Sequence, residues 1–231
     1  MGRVGTKADL YKFVDALRAQ LNISYDSYPI NSIKICKDDD TTDLVFNKFN
    51  TDGFCAMAFV GKKCDTIVLN TSRTPEEQNF DCAHEIMHLT KHRNKRIVFG
   101  CHEKLIAARD SFLEWEANEG AAEFLVPYRL LLPLVKEAKP QMRDFGDYRK
   151  FKIYVAKYFG VTETVIKLRL ESLKYEISQY LDGIPLDDVA IKSNKQLHNE
   201  GIQCKSFNDI EFELFKKDIM SCVNIFEQFR K

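Results

Sequence analysis

The first regular pattern along the chain is helical. Leu10, Phe13, Val14, Leu17 and Leu21 recur at three- and four-residue intervals, and Thr6 can cap the helix they define. The pattern then shortens to strand-like segments, Ser32 to Cys36 and Leu44 to Phe46. Phe54 to Val60 and Thr66 to Asn70 read as a hairpin turning at Gly61-Lys62-Lys63. The acidic stretch Asp38 to Asp43 lacks the spacing and the glycine of a calcium loop and reads as a solvated loop. Thr74-Pro75-Glu76-Glu77 supplies an N-cap, a proline at the first helical position and a capping-box glutamate, which predicts a helix from Pro75 to about His92. A second helix is expected from about Phe112 to Leu125, stopped before Pro127, and a long loop, Asn94 to Asp110, joins the two. Loops of that length in a compact domain are often functional. Beyond Pro127 the pattern stays helical. Asp147 to Phe159 and Glu163 to Leu181 are separated by Gly160 with Thr162 as a cap, and a last amphipathic helix places Phe212, Phe215, Ile219, Val223 and Phe226 on one side.

These segments divide into three expected parts: 1–135 carrying the strands and the two capped helices, a helical, helix-turn-helix-like 136–182, and a tail, 183–231, with the amphipathic helix. Composition changes this picture little. Apolar residues make up 45% of the 231, enough for a folded core. Lys+Arg and Asp+Glu are both 34, so the basic excess of a nucleic-acid binder is missing and a protein partner is the better expectation. Seven cysteines form no C-x-x-C pair or regular framework, and no secretory leader is recognisable, which points to reduced thiols and a cytoplasmic location. The apolar runs are too short to span a membrane. Met1-Gly2 fits the permissive myristoylation pattern, but one acyl chain anchors weakly and no polybasic stretch follows.

The chemistry concentrates in His84-Glu85-Ile86-Met87-His88, inside the best-capped helix. Histidines four residues apart share a face, about 6 Å apart along the axis, and can reach one ion, with Glu85 between them and within reach of a water there. Zinc needs a third protein ligand and an open fourth position for catalysis. Glu114, Ala117, Asn118, Ala121, Ala122 and Leu125 share one face of the next helix, whereas Glu116, Glu119 and Glu123 point away from it. Glu114 is therefore the candidate third ligand, and Asn118 can hold a ligand histidine by its far nitrogen. The plainer alternatives are a capping box between Ser111 and Glu114, and an Asn118 satisfied within a helix contact. His92 is about 12 Å from His84 along a straight helix, too far for all three histidines to share one ion. His102, in the long loop, is expected to be exposed or to face substrate.

The chain also resembles a known family, the ImmA/IrrE-type metallopeptidases of bacteria and their mobile elements. The resemblance rests on Thr66-Ile67-Val68-Leu69-Asn70, on Phe80-Asp81-Cys82-Ala83 followed by the His84–His88 motif and Leu89, and on Glu114-Trp115-Glu116-Ala117-Asn118 running on to Pro127. It is specific over 66–127, weaker over the first helix and 147–173, and absent in the tail. Gly120 departs from it, because many members carry an aromatic residue there. The resemblance implies an α+β, zincin-like core with a C-terminal helical appendage, and it implies Glu114 as the third zinc ligand. It also implies a helix-turn-helix repressor as the protein cleaved, which would release genes of a prophage, mobile element or stress response. In such an enzyme Glu85 takes the proton of the attacking water, Tyr128 or His102 donates to the oxyanion, and the strand ending at Asn70 is expected to offer an edge to the substrate backbone. Two rival readings stand beside it. Phe159-Gly160-Val161-Thr162-Glu163 resembles the turn of a DNA-binding helix-turn-helix, although the basic bias around it is slight. A proteolytically silent zinc-binding module is the other, and the intact Glu85 argues against it.

Overall fold

The computed structural model describes residues 5–51, 53–102 and 111–228, with side chains for all of these except His102 and 221–228. The myristoylation pattern, the end of the expected long loop, the expected role of His102 and the predicted placement of Val223 and Phe226 therefore fall outside the described residues.

Helix α1, Lys7–Gln20, starts where Thr6 and Asp9 cap each other: Thr6 N donates to Asp9 Oδ2 (3.0 Å) and Asp9 N to Thr6 Oγ1 (3.1 Å). The segment expected as a first strand is instead a short helix, α2, Ser32–Lys37. The cause is local. Asn31 Oδ1 accepts from Lys34 N at 2.9 Å, an N-cap that starts a helix, and Ser32 N then donates to Asn79 Oδ1 (2.8 Å).

Strands β1 (Thr42–Asn47), β2 (Phe54–Phe59), β3 (Asp65–Asn70) and β4 (Val98–His102) form one mixed sheet in the order β1-β3-β2-β4. β2 and β3 make the expected antiparallel pair, Met57 opposite Val68, while β1 runs parallel to β3, Val45 opposite Val68. Two expectations change here. β3, which leads into the histidine helix, lies inside the sheet and offers no edge. Five residues of the expected Asn94–Asp110 loop are a strand, because Val98–His102 finds the open side of β2 and buries Phe99. A five-residue edge strand with a glycine in it carries almost no alternating pattern to read.

Helix α3, Pro75–Lys91, is capped as foreseen, with Thr74 Oγ1 accepting from Glu77 N and Glu77 Oε2 accepting from Thr74 N. It lies across β2, β3 and β4 and packs lengthwise on α4, Ser111–Leu125. Ala56 and Ala58 on β2 and Ala83 on α3 are fully buried, so small side chains set this close approach. The whole forms an α+β architecture with a four-stranded sheet.

The remaining helices are α5 (Tyr128–Ala138), α6 (Phe145–Phe159), α7 (Glu163–Ser172), α8 (Lys174–Leu181), α9 (Asn194–Asn199) and α10 (Phe207–Gln228). The chain divides into two compact units: one comprises Leu10–Leu125 with Tyr158–Thr162, the other 1–9, 126–157 and 163–231. In the second unit the buried Lys7 ammonium pairs with the buried Glu176 carboxylate at 3.0 Å. Arg169, almost wholly buried, donates from Nε to Val126 O at 2.9 Å. Among the described residues no helix is long and apolar enough to cross a membrane.

Candidate metal centre

α3 buries every residue from Asp81 to Leu89, and three side chains converge at its middle. His84 Nε2 and His88 Nε2 stand 3.0 Å apart; Glu114 Oε2 is 3.4 Å from the first and Glu114 Oε1 is 3.5 Å from the second. Both histidine rings are shielded from solvent, while Glu114 remains about one-fifth exposed. That combination leaves an approach from one side only. Donors held about 2.0–2.2 Å from a tetrahedral zinc stand about 3.3–3.6 Å from one another. The two carboxylate–imidazole separations match that range, and a small ring rotation opens the shorter one. The two nitrogens and one oxygen also have the donor chemistry that zinc takes, so the residues fit the ion.

Around these donors each histidine is held from behind. His84 Nδ1 meets Asn118 Oδ1 at 3.0 Å, so the far nitrogen of that ring has a partner. His88 is stacked on Phe99 of β4, with centroids 4.5 Å apart and planes 14° from parallel. His88 Nδ1 meets His92 Nδ1 at 3.0 Å, His92 Nε2 meets Glu116 Oε2 at 3.2 Å, and Lys91 Nζ lies 3.3 Å from Glu116 Oε1. His92 does not join the converging donors, but it touches one of them.

The other glutamates of α4 have partners of their own. Glu116, Glu119 and Glu123 do not face water; all three are buried. Glu119 accepts from Tyr11 Oη (2.5 Å) and Glu123 pairs with Arg18 (3.3 Å), both partners on α1. Helical phase identified the face toward α3 but carried no information that α1 covers the opposite flank.

Glu85 lies beside the converging donors, fully buried, and neither carboxylate oxygen has a hydrogen-bond partner among the described residues. Burial, then the charges of Glu114 and Asp81, push its carboxyl well above the usual carboxylate range. Glu114 behaves oppositely. Burial raises it, but hydrogen bonds and charge from His84 and His88 outweigh burial and hold it well below that range. Cys101 was not anticipated: its sulfur lies within 4.8 Å of donor atoms of both His84 and Glu85, and it also forms a close group with Cys55 and Asp81. Only the pairing of β4 with β2 brings it there. Tyr128 begins α5, is buried, and has the Arg129 guanidinium 5.4 Å from its ring centre.

Residues 33–171 match the Peptidase_M78 family model, described as an IrrE N-terminal-like domain. The match covers more than half of the chain, which belongs to this family. No curated protein sequence matches the chain. Among solved structures, a Mycobacterium tuberculosis transcriptional regulator superposes with a TM-score of 0.50 at 15% identity, over 72% of this chain and 47% of the other. The likeness is one of fold, and this chain spans about half the length of that protein.

Proposed function

We propose that the protein is a zinc-dependent endopeptidase, with the ion held by His84, His88 and Glu114 and with Glu85 as the general base. The observation carrying this reading is the convergence of three zinc-type donors next to a buried carboxylate with no hydrogen-bond partner. A zinc ion held by these residues would supply Lewis-acid chemistry, acidifying water and polarising the scissile carbonyl. Glu85 takes the proton of the attacking water on a carboxylate oxygen and can return it to the leaving amine. Asn118 fixes the His84 ring through Nδ1, keeping Nε2 for the ion. β4 is the free edge nearest the donors, with Val98 outward and Phe99 against His88, so an extended substrate can add to the sheet there.

The substrate proposed from family membership is a cytoplasmic helix-turn-helix repressor. Co-expression with repressors encoded beside the gene, scored for cleavage, tests this directly. Glu85→Gln should retain about one zinc per chain and lose cleavage, because it removes the base and keeps all three donors. His84→Ala and His88→Ala should lose the zinc. If the effect on the repressor survives in Glu85→Gln, the chain acts by binding and not by hydrolysis.

A further inference from the structure

We propose that His92 and Glu116 are a positioning pair for His88, fixing its proton on Nδ1 and so presenting Nε2 to the metal. The inference rests on the metal reading above and assigns work to two residues outside the donor set. A neutral imidazole has one donor and one acceptor nitrogen. If His88 Nε2 is to give its lone pair to an ion, its proton must sit on Nδ1, and that atom faces His92 Nδ1 at 3.0 Å. His92 Nδ1 must then accept, which puts the His92 proton on Nε2. That nitrogen faces Glu116 Oε2 at 3.2 Å, and an ionised carboxylate can only accept. The row therefore has a single consistent arrangement, read inward from Glu116: carboxylate, His92 Nε2–H, His92 Nδ1, His88 Nδ1–H, His88 Nε2.

Each end of the row is anchored. The second oxygen of Glu116 faces Lys91 Nζ at 3.3 Å, which keeps the carboxylate supplied with a positive partner without occupying Oε2. Phe99 stacks on His88 and prevents the ring from flipping to offer the wrong nitrogen. His84 provides the contrast. Its Nδ1 meets a neutral amide oxygen of Asn118, on a side chain exposed at the rim. A carboxylate acting through an intervening imidazole makes His88 the more electron-rich donor of the two. Glu116 thus belongs to the centre, although it lies two residues from Glu114 and points along a different face of α4.

The test uses the full chain labelled with 15N-histidine. Zinc-loaded wild type should show His92 as the Nε2–H tautomer and His88 as the Nδ1–H tautomer. Zinc affinity, measured against a competing chelator, should weaken about 10–100-fold in His92→Phe and in Glu116→Leu. The double variant should be no weaker than either single one, because both remove the same row. Glu116→Gln keeps an accepting oxygen and should retain the tautomers with a smaller loss. Glu119→Gln, an equally buried carboxylate of α4 that bonds Tyr11, should bind zinc like wild type, which separates the row from general loosening of the helix. An Nδ1–H tautomer or a doubly protonated His92 in wild type would overturn the proposal. So would a folded Glu116→Leu or His92→Phe with wild-type zinc affinity and an unchanged His88 spectrum. A wild type that took up no zinc would end the metal reading, whereas zinc uptake with the other tautomers would overturn the row alone.

Discussion

Burial sets which protonation states the single side chains of the centre bring to a metal. Desolvation drives the His88 imidazole down to about 4, outweighing the hydrogen bond it donates to Glu114, which raises it. A protonated imidazole cannot ligate, so the direction matters: lowering the pKa widens the pH range in which Nε2 is free. Zinc affinity should therefore be insensitive to His88 between pH 7 and about 5, then fall about tenfold per unit below about pH 4 as one proton competes. Chelator competition across that range checks this, and a fall centred near the ordinary histidine value would mean that the ring is far wetter than its burial indicates. The grouping of His84, His88 and Glu114 was legible in the sequence because helical phase and the family resemblance pointed to the same glutamate. The contact between His92 and Glu116 was not. It depends on the axial slide of α4 along α3, which neither helix encodes alone, and a rule that excluded His92 from the donor set hid its place behind one of the donors.

Between elements, the distance from α3 to α4 decides whether Glu114 reaches the histidines at all. Gly120 is a point of close approach. A Cβ there would lie 3.0 Å from Met87 Sδ and 3.2 Å from its Cγ, one residue before His88. Methionine is flexible, so Gly120→Ala should be tolerated, the crowding offset by a helix-propensity gain of about 1 kcal/mol. Gly120→Leu has no such room and should cost about 1–3 kcal/mol by overpacking, with weakened zinc binding as the helices part. Thermal melting with and without zinc reads both effects, and a leucine variant melting like wild type would show that the helices are not held apart by this contact. The departure of Gly120 from the family pattern was visible in the sequence, but its partner was not. Glu163 to Leu181, read as one helix, is broken at Leu173 into α7 and α8, and two other misread elements share one property: Ser32–Lys37 and Val98–His102 are too short for periodicity to outweigh a neighbour. A single asparagine cap decides the first, and an open strand edge decides the second.

At the scale of the whole molecule, the remaining choice is between a protein and a nucleic-acid partner. α6, the turn at Gly160 (φ +64°) and α7 have the helix-turn-helix order, but Arg169 on α7 is buried, donates to Val126 O and is not available to a phosphate. Arg169→Ala would thus report on folding. The informative pair is exposed, Lys157 and Lys167. Replacing both by Ala should leave zinc content and repressor cleavage unchanged, with duplex binding weak and non-specific throughout. Tight, salt-sensitive binding to operator-like DNA that disappears in this double variant would reverse the assignment. The balanced charge already leaned this way, whereas the burial of Arg169 could not be read from a pattern of alternating residues.

The two compact units have a consequence for how the chain is made. Neither is a continuous stretch: the one holding the metal centre closes only with Tyr158–Thr162, and the other begins before Leu10 and resumes after Leu125. On a ribosome, the centre's unit therefore cannot be completed until residue 162 of 231 has emerged, and Lys7 must wait for Glu176 before its buried charge is neutralised. No stop codon placed between Leu125 and Tyr158 would release either unit whole.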